Sequence, residues 1–161
     1  MELYLIRHAE ALELGERGIT TDEERPLSEK GEKQSEAAAR ALQARGIALD
    51  ALYTSPLRRA LQTAEILNRV WGETGPKLEV CDTLAPGSKL RKLSKTLLKM
   101  EAERIGLVGH MPHLGDFAAW LLGDKRMQIE IAKAGVVCFD CGEMPTKGMG
   151  VLKWMVTPEW Y

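Results

Sequence analysis

The stretch LYLIRH, residues 3–8, is four apolar residues that stop at an arginine and a histidine. A continuous apolar run of this length suits a β-strand covered on both faces, the signature of a parallel sheet sandwiched by helices. Its ending is unusual, because strands more often stop at turn formers than at side chains that are costly to bury. Working outward, the chain alternates strand and helix. Residues 9–27, with Gly15, Gly18, Pro26 and scattered charges, read as an irregular loop. Ser28 caps a helix over residues 29–45, and Gly46 closes it. Residues 49–54 form a second strand, and Ser55-Pro56 leads into a helix reaching about Val70, with Pro56 suited to its first turn. A weak strand follows at 78–81. The segment 87–104 is amphipathic, with Leu90, Leu93, Leu97 and Met100 at helical spacing and Lys89, Lys92, Lys95 and Lys99 on a solvated face. RIGLVG (104–109) predicts a central strand and 113–122 a helix. Strands near 135–141 and 151–156 flank the hairpin-like loop GEMPTKGMG. This alternation predicts an α/β fold in one domain over residues 1–161.

Composition narrows the function. The net charge of -1 supplies no electrostatic basis for binding nucleic acid or an anionic membrane. No apolar stretch approaches the roughly 20 residues that span a bilayer, and charges at Glu2 and Arg7 break any signal peptide. The cytoplasm is the expected compartment. Three cysteines, Cys81, Cys138 and Cys141, do not make a disulfide framework. Cys138 and Cys141 form a C-x-x-C inside a predicted strand. Three strand steps separate their Cα atoms by about 10 Å and turn the side chains to opposite faces, beyond the roughly 7 Å a disulfide allows.

In open α/β sheets, ligands bind beyond the carboxyl ends of the strands. The first strand ends in Arg7-His8, the second in Ser55-Pro56 with Arg58 and Arg59 just inside the next helix, and the fourth in Gly109-His110-Met111-Pro112-His113. Parallel strands deliver these to one edge. Histidines, arginine forks and helix N-termini converging there make an anion site, and phosphate offsets the repulsion among the cations. A neutral imidazole is a competent nucleophile toward phosphorus, and neighbouring arginines favour that neutral form. A second imidazole, when protonated, stabilises charge on the phosphoryl oxygens. The three histidines have no evident carboxylate or thiolate companions, so a metal site is not expected.

Taken jointly and in order, LYLIRHAE, RPLSEKG, YTSPLRRALQTAEIL, LAPG and LVGHMPHL resemble the histidine phosphatase superfamily, and within it the small SixA-type phosphohistidine phosphatases. The resemblance runs from residue 3 to about residue 158. It implies a three-layer α/β/α sandwich on a mainly parallel sheet, with no metal or organic cofactor. It also implies His8 as the nucleophile that becomes phosphorylated, and Arg7, Arg59 and His110 as phosphoryl-binding partners. Arg25 of RPLSEKG matches a family arginine near the phosphate, and Arg58 is the less suited of its pair. Ala9 stands where many members have glycine, and His113 falls where the family fixes no residue, so its role is open.

Larger members, such as phosphoglycerate mutases, carry a glutamate general acid after the third strand. Here the corresponding CDTLAPGSKL holds only Asp82, which leaves the acidic loop (Glu10, Glu13, Glu16 and Asp22 to Glu24) as the other source of an acid. An alkoxide needs a proton as it leaves, whereas an imidazole leaving a phosphohistidine can already carry one. The short chain also leaves little material for a lid over the pocket. The expected partner is therefore a phosphorylated protein of the histidine-phosphotransfer type. A phosphatase of small phosphate esters or anhydrides, and a phosphate-binding module without turnover, are the alternatives.

Overall fold

The computed structural model describes residues 1–161. Its frame is a six-stranded sheet ordered β3-β2-β4-β1-β5-β6. The strands are β1 (Glu2–Arg7), β2 (Ala51–Thr54), β3 (Lys77–Val80), β4 (Arg104–Gly109), β5 (Val136–Asp140) and β6 (Val151–Val156). Strands β3, β2, β4 and β1 are mutually parallel, and β5 and β6 add an antiparallel edge. The sheet is thus mainly parallel, as the alternation of elements predicts.

Four helices cover it: α1 (Glu29–Ala44), α2 (Arg58–Trp71), α3 (Leu90–Leu97) and α4 (His113–Leu121). Because side chains alternate along a strand, β1 feeds two cores. Leu3 and Leu5 pack with Leu93 and Leu97 of α3 and Phe117 and Leu121 of α4. Tyr4 and Ile6 pack with Ala38 and Leu42 of α1 and Ala60, Ala64 and Leu67 of α2. That is the three-layer sandwich, and it explains why LYLI shows no polar alternation: both faces are dry. The same alternation sends Cys138 to one core and Cys141 to the other, and all three thiols are free and buried.

Several element boundaries differ from the sequence reading, and two of them have visible causes. Helix α2 starts at Arg58, so Pro56 lies in the approach to the helix; the free N–H of Arg58 is taken by the Glu23 carbonyl at 3.1 Å. Helix α3 stops at Leu97, short of the amphipathic stretch. The chain must leave the helix to enter β4, where the Asp50 carboxylate accepts from the Glu103 and Arg104 N–H groups.

Residues 9–27 are more ordered than a plain loop. Ala11 bridges Leu27, and Ser28 N–H donates to the Glu10 carbonyl at 3.0 Å. The Ser28 hydroxyl caps α1 by accepting from Gly31 N–H. Gly31 is required there, since a Cβ would lie 1.9 Å from the Glu10 oxygen. This excursion is thereby folded back over the carboxyl end of the sheet. No helix is long and apolar enough to cross a membrane.

Candidate active site

The sheet register builds the site. Arg7 pairs with Gly109, and Ile6 and Thr54 both lie opposite Val108, so β1 and β4 end at one level and β2 one residue earlier. The next residues therefore form a short row at one edge, His8 level with His110 and Ser55 one step behind. The ladder continues one step further: His8 N–H donates to the Gly109 carbonyl and Ser55 N–H to the Val108 carbonyl, both at 2.9 Å. The two imidazoles face each other with ring centroids 5.0 Å apart. Helices α2 and α4 begin immediately behind the row, so their positive ends point to it.

His8 has a defined tautomer. Its Nδ1 lies 2.7 Å from the Ala9 carbonyl, which can only accept, so Nδ1 carries the proton. Nε2 is then the lone-pair nitrogen, and it accepts from Arg59 Nε–H at 3.3 Å. Burial, aided by the Arg59, Arg7 and Lys133 cations, pushes the His8 pKa down to about 4 against the Ala9 hydrogen bond. At neutral pH this ring is an uncharged imidazole with a free nitrogen facing a guanidinium. The peptide behind it is clamped by Ala134, whose N–H lies 3.2 Å from the Arg7 oxygen and 3.3 Å from the His8 oxygen. Ala134 adopts a left-handed conformation to do so (φ 58).

Arg59 is 6% exposed and Arg58 is exposed, which separates the pair as the motif implies. Besides His8, Arg59 donates to the Asp22 carbonyl at 2.7 Å and to its carboxylate at 2.9 Å. Its helix position is steadied by Thr63, one turn on, which donates to the Arg59 carbonyl and accepts from Ala9 N–H. His110 donates or accepts through Nε2 at Ser55 Oγ, 2.8 Å away, and its buried Nδ1 has no partner. Burial and the nearby His8 and Arg59 push the His110 pKa down to about 3, with Asp22 opposing. Arg7 donates through Nη1 to the Ile131 carbonyl at 2.8 Å, and its buried Nε is unpartnered. Burial lowers the Arg7 pKa against the opposing pull of Glu130.

Arg25 stands differently. Its three nitrogens are taken by the Leu12 carbonyl, Asp22 and Glu13, at 2.7, 3.0 and 2.9 Å. It connects to the histidines through Asp22 and orders the loop rather than presenting a free fork. Asp22 enters the sequence reading only as one carboxylate of the acidic loop, with nothing to set it apart from its neighbours. Burial acts to raise its pKa, but hydrogen bonds from Arg25 and Arg59 outweigh this and hold it below the usual carboxylate range. Asp82, the other acid considered, lies in the 3-10 turn of residues 82–84. Ser55 and Thr63 were also overlooked as site residues. Their signals were legible: Ser55 directly follows a strand, and Thr63 follows Arg59 at helical i,i+4 spacing.

A neutral imidazole nitrogen, guanidinium donors and two orphaned buried nitrogens at one edge of the sheet are the groups that a phosphoryl-handling α/β enzyme needs. The family model of the histidine phosphatase superfamily (branch 1) matches residues 3–85, just over half the chain. The chain belongs to the histidine phosphatase superfamily and is an enzyme of the phosphatase class. An uncharacterized protein of Picosynechococcus sp. is 38% identical over 85% of this chain and 83% of its own length. The protein histidine phosphatase SixA, solved with tungstate, superposes at a TM-score of 0.83 with 22% identity, covering 98% of this chain and 97% of that one. A phosphoserine phosphatase from Entamoeba histolytica, in complex with 3-phosphoglyceric acid, superposes at 0.69 with 18% identity, over 97% and 96% of the two chains. The fold is therefore that of SixA and its relatives.

Proposed function

We propose that this enzyme removes the phosphoryl group from a phosphohistidine side chain of another protein, through a covalent intermediate on His8. The observation that carries the reading is the proton inventory of the site. His8 Nε2 is free while Nδ1 keeps its proton against Ala9, and the carboxylate nearest the reaction, Asp22, is held as an anion by two arginines. The site thus offers a nucleophile but no ready general acid.

A phosphohistidine needs none. The Nε2 lone pair of His8 attacks phosphorus while the P–N bond to the substrate imidazole breaks. With the proton already on its other ring nitrogen, that imidazole departs neutral. His8 becomes a phosphoimidazolium whose proton stays on Nδ1, hydrogen-bonded to the Ala9 carbonyl. Water then attacks phosphorus, the P–Nε2 bond breaks, and His8 again leaves as a neutral imidazole with inorganic phosphate as product. Arg59 and Arg7 clamp the phosphoryl oxygens, and the neutral His110 ring, whose buried Nδ1 has no other partner, adds a hydrogen bond to them. Ser55, Thr63, Asp22 and Arg25 are positioning residues. An alkyl ester lacks this self-supplied proton. The likeness to SixA supports the same reading, and the three free thiols support a reducing, cytoplasmic setting.

The test is to expose the enzyme to a protein carrying labelled phosphohistidine and to quench during turnover. The expected label is acid-labile, base-stable and attached to His8, and it is lost in His8→Ala. Full turnover by His8→Ala, or faster hydrolysis of alkyl phosphates than of phosphoramidates, overturns the proposal.

A further inference from the structure

Beside the catalytic row, past Met111-Pro112, lies a second cavity of about 500 Å³. Ser88, Lys89, Arg91, His113, Asp116 and Lys125 line it, and none has a part in the chemistry above. Its most telling member is His113. This imidazole is 5% exposed, yet neither ring nitrogen has a hydrogen-bond partner. A neutral imidazole holds one donor and one acceptor, and a buried polar group without a well-formed partner is unfavourable. The Ser88 backbone approaches without making a well-formed bond, and Asp116, also facing the ring, raises the His113 pKa against the dominant effect of burial.

The start of α3 adds an independent sign. Helix N-termini favour acidic side chains, but this one has Lys89 at its cap and Arg91 in its first turn, with no acidic residue and no side-chain cap. Lys89, Arg91 and Lys125 form no ion pair. Three cations facing one carboxylate, in a chain of net charge -1, are a local excess that a bound anion would relieve. The cavity also adjoins a neighbouring one that Arg7 lines, and the two share Met111, Pro112, Asp116 and Lys125 as walls. Side by side they form a trough between the phosphoryl-binding arginine and His113. Lys92, Lys95 and Lys99 stay on the solvated face that the sequence suggests, whereas Lys89 belongs to the trough.

We infer that His113, Lys89, Arg91 and Lys125 form a docking site for an acidic side chain of the phosphorylated protein substrate. This rests on the phosphohistidine-protein reading above. A carboxylate in the cavity pairs with the flanking cations, and the buried His113 ring in the wall senses its charge. An open trough takes a carboxylate carried on a chain more readily than an enclosed cavity would, and its join to Arg7 lets that chain also present the phosphoryl group.

The direct test is binding. With tungstate filling the catalytic pocket, an unphosphorylated tetraglutamate peptide is titrated into the full-length enzyme and the His113 ring is followed by NMR. The expected result is a saturable His113 shift, with affinity at least tenfold weaker in Lys89→Ala/Arg91→Ala and in Lys125→Ala. An unmoved His113 ring, equal binding by the variants, or a response to inorganic phosphate but not to the peptide overturns the docking site. A kinetic arm separates the two proposals. Lys89→Ala/Arg91→Ala is expected to lose at least tenfold more kcat/KM on a phosphohistidine protein than on free phosphoramidate. Equal losses on both overturn the docking site and leave the catalytic reading standing. Binding of the peptide by a wild-type enzyme that is inactive on phosphohistidine overturns the catalytic reading and leaves an acidic-ligand site.

Discussion

The most exacting consequence of the site is the behaviour of His8 in acid. An ordinary histidine titrates near 6.5, whereas burial among cations places His8 at about 4. Lowering the pH to 5 should therefore leave about 90% of His8 neutral and able to attack, where an unperturbed histidine would be about 3% neutral. The difference is roughly thirtyfold in kcat/KM at that pH. Two measurements read it. The His8 Cε1–H resonance of the free enzyme, followed by NMR, should inflect near 4. The profile of kcat/KM for an activated aryl phosphate, corrected for the substrate's own ionisation, should stay flat from neutrality to about pH 5. An inflection near 6.5 in enzyme that circular dichroism shows to be folded would refute the reasoning. Stability carries the same signature. The unfolded chain takes up protons on these histidines near 6.5, while the folded chain resists until about 4 at His8 and about 3 at His110. The unfolded state binds more protons across that window, so stability is full above 6.5 and falls as pH drops through it. The loss is on the order of a few kcal/mol for each histidine.

Other perturbations separate clamp, support and scaffold. Arg59→Lys keeps the charge, but one ammonium cannot reach His8 Nε2 and both Asp22 oxygens, so kcat should fall about 100-fold with little change in Tm. Ser55→Ala removes the partner of His110 Nε2 and leaves a second orphaned ring nitrogen, which should cost about 1–3 kcal/mol of stability by denaturant titration, together with about tenfold in kcat. Gly31→Ala drives a Cβ into the Glu10 oxygen, and should cost about 3 kcal/mol or more, or about 10 °C in Tm by calorimetry.

Much of the architecture was readable locally. Apolar runs of strand length, the Ser28 cap and Gly46 stop of α1 and the Ser55-Pro56 approach to α2 depend on neighbours in the chain, and those elements stand close to where the pattern puts them. The boundaries that shifted, at Pro56 and beyond Leu97, are set by contacts from elsewhere: Glu23 holds the start of α2, and Asp50 holds the entry to β4. The candidate site divides the same way. Arg7-His8, Arg59 and His110 announce themselves because each sits at the end of a strand or the start of a helix in a parallel sheet. Asp22 does not, because nothing local distinguishes it from the other carboxylates of its loop. Only the fold-back of that loop, 37 residues away from Arg59 along the chain, gives it a partner.

The amino-acid sequence by itself thus determined the layered α/β class, the strand ends that carry the chemistry and membership of a phosphate-handling family, all written in short-range order. Tertiary structure alone decided the register that sets the imidazoles 5.0 Å apart, the tautomer of His8 and the ionised state of Asp22. It also decided that Arg25 ties down the loop and that His113 is buried without a partner. The physical reason is that protonation and reach depend on burial and on charges brought close by long-range pairing. No window of consecutive residues contains that information.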